Sequence, residues 1–377
     1  MPSSPFVFGK SVSQDVFIGR VEETRRLKLN FEYGVNSILI SPRRIGKTSL
    51  VQKVMSLVDS DKVKVVYLDI FKCRTEEAFL NAFATAVIKA TSNQCEARII
   101  NISKFLSRIP PKIQIGTDPI NNFELRFDIA QSTVGIHEIF DLPQKIATDQ
   151  NLKIVVCIDE FQQIGQFDDS LTFQKHCRSV WQHQDCVSYC LIGSKKHMMT
   201  AMFQKQDYPF FRFGEVFYLD KISRQDWIPF LTTRFAQSQK QLSETLAGEL
   251  VDCVEGYSSY VQQLAWILWS SVEKVATEAD LLLAIDRLMD SCQPTYIVQI
   301  EALTAKQMAL LRAVAEGVEE GLTTRPILDK YRLGTSSNVM RTKEALLSRD
   351  LLDLMPDGCL KIADPVFKRW LLDRYWR

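Results

Sequence analysis

The chain has 377 residues, 46% of them hydrophobic and 24% charged, and its 46 basic and 45 acidic side chains leave a net charge of +1. Such a length exceeds one typical core and predicts two to three domains. The near-neutral balance excludes a global electrostatic pull toward nucleic acid or a membrane surface, and no window approaches the roughly 18 apolar residues of a membrane span.

The N-terminal stretch MPSSPFVFGKSV lacks a basic segment followed by an apolar core, so no signal peptide is expected. Nine cysteines are scattered without a repeated C-x-x-C. Cys157, Cys190 and Cys253 sit inside apolar runs, where a reduced thiol behaves as a small hydrophobe. A cytoplasmic, reduced protein is expected.

In chain order, apolar β-branched runs at 37–40, 63–70, 152–159 and 187–192 predict buried strands, with a fifth at 215–219. Helical segments such as 48–58 and 76–91 lie between them. Alternating strands and helices predict a parallel sheet covered on both faces. The segment 107–128 carries Pro110-Pro111, Gly116 and Pro119, then the alternating FELRFDI, and predicts an inserted loop or hairpin. After Asp220 only the helical period remains, in ISRQDWIPFLTTRFAQ, SETLAGELVDCVEG and SSYVQQLAWILWSSVEKV, predicting a small bundle over about 222–294. From Leu303 three helices precede LLDLMPDGCLKI, where Asp357-Gly358 is a hairpin signal, and a final helix, DPVFKRWLLDRYW. That order is a winged-helix pattern.

The stretch ILISPRRIGKTSL, residues 38–50, carries the chemistry. A strand, a turn and Gly46-Lys47-Thr48 opening a helix match the phosphate-binding pattern G-x-x-x-x-G-K-[ST], except that Ser41 stands at the first glycine. A helix N-terminus offers unpaired N–H groups to a triphosphate. Gly46 lets the backbone approach, Lys47 reaches the β- and γ-phosphates, and the Thr48 hydroxyl can ligate Mg²⁺. Serine at position 41 loses only access to positive φ, which matters only if the turn needs it.

The run IVVCIDEF, residues 154–161, is an apolar strand ending in two carboxylates, at the end where open α/β sheets bind ligands. Asp159 would hold Mg²⁺ directly or through water, and Glu160 would polarise the attacking water. The alternative is a helix-capping Asp followed by a first-turn Glu. Ser194, after Leu191-Ile192-Gly193, could contact the γ-phosphate or the water, and equally could cap the next helix.

Taken together, FIGRVEETRRL (17–27), SPRRIGKTSL (41–50), VVCIDEFQQI, LIGSKKHMM, PFFRFGEVFYLDKI (209–222) and GYSSYVQQLAWIL (256–268) resemble the archaeal-type, STAND-like P-loop ATPases of the AAA+ class. The resemblance implies a sheet of order 5-1-4-3-2, a helical lid and a winged helix, here an ATPase domain at 1–221, a lid at 222–300 and a winged helix at 301–377. It implies that Phe17, Ile18, Gly19 and Arg20 border adenine and ribose, and that Pro42, Arg43, Arg44, Ile45, Gly46, Lys47, Thr48 and Ser49 form the nucleotide cradle. Gly193-Ser194 would be the sensor of strand four. Arg212 in PFFR falls near the family's γ-phosphate-sensing or finger arginine, although the order F-F-R-F-G is not the usual L-x-x-R. Gly256 matches the lid motif, with Ser258 where proline usually stands. The expectation is an ATP/ADP- and Mg²⁺-binding protein with slow hydrolysis, acting as a nucleotide-controlled switch. The alternative is an ATP-gated DNA-binding regulator.

Two weaker constellations complete the reading. His176, Cys177, His183, Cys186 and Cys190 match no standard zinc spacing, and packing is the favoured role for the cysteines. Residues 336–349 carry Asn338, Arg341, Lys343 and Arg349, which on a recognition helix would reach base edges. From Glu301 onward, however, 13 basic face 11 acidic residues, a weak surplus for a duplex binder. A protein-interaction or interdomain role is favoured for the winged helix.

Overall fold

The computed structural model describes residues 4–9, 17–92, 100, 104–106, 112–115, 123–127, 133–355 and 358–377. The chain forms two compact units, one of residues 20–220 and one of residues 1–19 with 221–377.

The first unit begins with α1 (Val21–Tyr33) and continues β1 (Ser37–Ile40), α2 (Lys47–Met55), β2 (Val63–Asp69) and α3 (Glu76–Thr91). A hairpin, β3 (Lys112–Ile115) and β4 (Phe123–Arg126), precedes α4 (Thr133–Gln150) and β5 (Lys153–Asp159). A short 3₁₀ turn (Phe161–Gln166), α5 (Ser170–Trp181), β6 (Val187–Gly193), α6 (Lys196–Gln204) and β7 (Glu215–Tyr218) complete it. The five-stranded sheet has the order β2-β5-β6-β1-β7, parallel throughout. Counting only these sheet strands, it is the expected 5-1-4-3-2.

Every residue of β1 and β6 is buried, which is why these runs lack the alternation of a one-sided strand. Phe79 and Phe83 of α3, Phe140 of α4 and Phe173 and Trp181 of α5 pack edge-on and stacked against one another over one face. The hairpin expected within 107–128 is present in its described residues and leans on α3. There the Thr85 hydroxyl accepts from the Leu125 N–H at 3.0 Å and Asn81 Oδ1 from the Phe127 N–H at 2.9 Å.

The second unit comprises α7 (Arg224–Gln237), α8 (Glu244–Cys253), α9 (Ser258–Ser271), α10 (Glu278–Glu301), α11 (Ala305–Ala315), α12 (Arg325–Tyr331) and α13 (Ser336–Ser348). The β8 (Leu352–Leu354)/β9 (Leu360–Ile362) hairpin and α14 (Pro365–Trp370) follow. Ser223, Ser243, Thr277, Thr304 and Thr335 each accept a backbone N–H at a helix start, the usual way of satisfying an orphan donor. Gly358, at φ 91°, supplies the left-handed residue of the hairpin turn; Asp357 of the expected Asp-Gly pair lies outside the described residues.

One hydrophobic cluster runs from Trp227 of α7 to Leu371, so the segments 222–300 and 301–377 share a core. The 24-residue α10 passes through Pro294, beyond the position where the sequence pattern ends the bundle. Proline in a helix interior costs on the order of 3 kcal/mol; burial of Tyr296 and Ile300 beyond it offsets that cost. Asp364 reinforces the same seam. One of its carboxylate oxygens accepts the Val366 and Phe367 N–H groups, and the Tyr260 and Tyr296 hydroxyls also donate to the carboxylate. Phe6, 1% exposed, is buried in this cluster beside Phe230 and Phe235.

Candidate functional site

The C-terminal ends of β1, β5 and β6 bring the loop 41–46, the Asp159-Glu160 pair and Ser194 to one edge of the sheet. The residues in left-handed conformation in this loop are Arg44 (φ 67°) and Gly46 (φ 95°), not Ser41. The first position of the motif therefore needs no glycine here. Ser41 is buried, and its N–H donates to the Gly193 carbonyl at 3.3 Å, tying the loop to the end of β6. Gly46 leads directly into α2, whose first residue is Lys47.

The Lys47 ammonium donates to the carbonyls of Ser41 (3.1 Å) and Pro42 (2.9 Å), inside the loop it closes. It is 7% exposed. Burial pulls its pKa down to about 8, against the opposing attraction of Asp159 and Glu160.

Asp159 is 6% exposed and fully engaged. Its Oδ2 accepts from the Thr48 hydroxyl at 2.9 Å and from the Tyr67 hydroxyl at 2.6 Å, and its Oδ1 from the Glu160 N–H at 2.9 Å. Sequence reasoning missed Tyr67, as it missed Gln162 beside Glu160. The β2–β5 register pairs Tyr67 with Cys157, two residues before Asp159. Burial, then the Asp159 charge, push its hydroxyl well above the ordinary tyrosine value, so it stays a donor.

Glu160 adopts φ 56° and turns the chain out of β5. Its Oε2 accepts from the Ser194 hydroxyl at 2.9 Å and from the Gln162 amide at 2.5 Å. Ser194 therefore bonds a carboxylate; no side-chain cap is found on α6, whose preceding residue is Lys195.

The other expected residues divide. Arg20 is buried beneath the loop, donating to the Ile45 carbonyl at 3.0 Å and the Asp220 carbonyl at 2.7 Å, and pairing with Glu23 at 3.3 Å. Pro42, Arg43, Arg44, Ile45 and Ser49 lie in the loop and the first turn of α2. Phe17 and Ile18 belong to the helical unit, where Ile18 packs on its core. The structure does not bring Arg212 into the cluster. It precedes Glu215, whose sheet partner is Ser37 at the start of β1, so it lies at the strand end opposite the loop, against the Phe211 ring at 5.1 Å. Of the weighed zinc ligands, Cys177 and Cys190 are buried in the core, and among the described residues no group of three or more His, Cys, Asp or Glu side chains is placed to hold a metal.

A parallel five-stranded sheet of this order, with a glycine-lysine-threonine loop after β1 and an acidic pair after β5, is the fold of P-loop nucleotide-binding domains, here followed by a helical segment and a winged helix. Solved structures bear the same fold across nearly the whole chain. The Walker-type ATPase PABY2304 of Pyrococcus abyssi is 17% identical with a TM-score of 0.69, over 98% of this chain and 99% of that one. The Aeropyrum pernix ORC2 protein, solved as ADPNP–ADP complexes, is 15% identical with a TM-score of 0.56, over 98% and 97%. The Aeropyrum pernix ORC1 protein, solved in complex with DNA, is 13% identical with a TM-score of 0.50, over 96% and 94%. The family model of a probable winged helix domain matches residues 294–373. No curated protein matches the chain at the sequence level.

Proposed function

We propose that the chain binds ATP and hydrolyses it slowly with Mg²⁺, as a STAND-like, nucleotide-controlled switch of the cytoplasm. The observation that carries this reading is the convergence of Thr48, Asp159, Glu160 and Ser194 within hydrogen-bond distance at the mouth of the loop closed by Lys47. The donor set fits a hard cation: the Thr48 hydroxyl and the Asp159 carboxylate meet at 2.9 Å and offer only oxygen, the ligand type Mg²⁺ takes. Bound there with the nucleotide, Mg²⁺ would neutralise charge on the β- and γ-phosphates.

The chain's own groups do the rest. Lys47 exchanges two loop carbonyls for phosphate oxygens. The N–H groups at the start of α2 face the same anion. Glu160 takes up the proton of the attacking water, and Ser194 orients that carboxylate. Arg212, at the far strand end, would act only on a second copy of the chain. The lid (222–300) and winged helix (301–377) are the output elements of the switch.

A second reading keeps the same site but uses the winged helix on DNA. The Aeropyrum ORC1 protein was solved with DNA, and Arg341 on α13 is exposed, close to Asn338 at 3.4 Å. The near balance of charge from Glu301 onward favours the switch. Glu160→Gln keeps shape and hydrogen bonding but loses the charge that polarises water, so ATP affinity should persist while turnover falls by about 100-fold or more. Asp159→Asn should instead weaken the Mg²⁺ dependence of binding. Titration calorimetry and a phosphate-release assay check both, and equal turnover in Glu160→Gln and the parent would remove the hydrolytic assignment.

A further inference from the structure

Gln162 stands two residues beyond Glu160 and is 2% exposed, more deeply buried than Lys47 or Asp159. Its amide nevertheless meets the groups assigned to the reaction. The Nε2 donates to Glu160 Oε2 at 2.5 Å and lies 3.5 Å from the Ser194 hydroxyl. The Oε1 accepts the Ser194 backbone N–H at 3.3 Å. Closing the ring, the Ser194 hydroxyl donates to the same Glu160 oxygen at 2.9 Å. We infer that Gln162 is a positioning residue for hydrolysis, clamping the Glu160 carboxylate to the end of β6 so that base and sensor are held as one unit. The inference rests on the ATPase reading above.

Two further features support a dedicated clamp. A buried amide is costly unless both ends are bonded, and here donor and acceptor sides are both used. The second concerns Gly193, whose backbone does not need glycine, because its φ lies outside the positive region. What excludes a side chain is proximity: a Cβ there would lie 2.7 Å from Gln162 Oε1 and 2.4 Å from the Met199 side chain. The glycine that ends β6 leaves space shared by the amide and the Met199 side chain. Glu160, turned at φ 56° out of the strand, has its carboxylate oriented by donors from two different segments.

The test uses the full chain with three variants. Gln162→Met keeps length and apolar fill but removes every bond. Gln162→Glu is isosteric and keeps the acceptor for Ser194 N–H, yet sets a carboxylate against Glu160. Gly193→Ala alters no hydrogen-bonding atom but crowds both the amide and the Met199 side chain, so it is read beside the two Gln162 variants. Each should bind ATP within about twofold of the parent, while kcat falls by about tenfold or more, with Gln162→Glu lowest and KM little changed. A merely structural role would lower the melting temperature and leave kcat per folded molecule untouched. Unchanged kcat, or a rise in kcat, in the folded Gln162→Glu chain would overturn the clamp while leaving the ATPase reading in place. Absence of ATP hydrolysis by the parent chain would remove both.

Discussion

Lys47 carries the sharpest consequence at the scale of single residues. Burial holds it near pKa 8, whereas an unfolded lysine titrates at 10.5. Between those values the unfolded chain binds more protons, so stability should rise with pH from about 8 and be flat below. The full effect is roughly 3 kcal/mol, and Tyr67, whose hydroxyl is raised by burial, acts in the opposite sense above pH 10. Denaturant titrations between pH 7 and 10 should show the slope in the parent and not in Lys47→Met. A triphosphate restores the lysine's charge, so ATP binding at pH 8 should take up about half a proton, visible in calorimetry as a binding enthalpy that depends on buffer ionisation. Lys47→Ala should abolish that uptake and most of the affinity; unchanged affinity would place the nucleotide elsewhere. Such roles were only partly legible in the sequence. Lys47, Thr48 and Asp159 announce themselves by motif, and Ser41 is tolerated because the left-handed positions fall at Arg44 and Gly46. Tyr67 and Gln162 carry no local signal. One depends on strand register and the other on a turn that folds a buried amide back against β6.

At the scale of elements, the sheet strands could be read because β1 and β6 are buried throughout and so appear as unbroken apolar runs. The order of the sheet is non-local and came through a family resemblance. The run of α10 through Pro294 was not legible, since a proline and a polar stretch mark a helix end unless tertiary packing overrides them. Phe6 is another long-range contact, invisible to any periodicity. The Asp364 cluster makes the seam between α9, α10 and α14 testable. Asp364→Ala removes the cap on the Val366 and Phe367 N–H groups and takes the carboxylate acceptor from the Tyr260 and Tyr296 hydroxyls, which lie 3.3 Å from each other. A loss of about 2–4 kcal/mol is expected, measured by urea unfolding; a change below about 0.5 kcal/mol would be that of an unimportant surface site.

On the scale of the whole molecule, the segments 222–300 and 301–377 share one hydrophobic cluster, so they should open together. Hydrogen exchange should give peptides from 240–270 and 340–370 the same limiting opening free energy, and nucleotide should shift both equally. Independent opening of the terminal segment would mean that the shared cluster does not couple them. If the winged helix reads duplex DNA instead, affinity should fall with salt at a log–log slope near −0.9 per phosphate neutralised, roughly −3 to −5 for a small module. Arg341→Ala with Lys343→Ala should flatten that slope. The charge balance predicts no such submicromolar, salt-sensitive binding.

The chain passes between its two units at Gly19–Arg20 and at Asp220–Lys221, and the buried Arg20 guanidinium grips both the second crossing and the loop through the Asp220 and Ile45 carbonyls. Mechanically this is a yoke for the proposed switch: the loop backbone and the backbone that leaves for the helical unit hang on one planar cation. Both bonds leave one nitrogen, Nη2, while Nη1 is held by Glu23, so a shift of the Ile45 carbonyl bears directly on the bond to Asp220. Lysine carries the charge on one nitrogen and cannot hold Glu23 and both carbonyls in that planar geometry, so Arg20→Lys should keep ATP affinity within several-fold and lose the change in helical-unit hydrogen exchange that the proposed switch predicts on nucleotide binding. Retention of that change would show that the signal leaves the loop by another route.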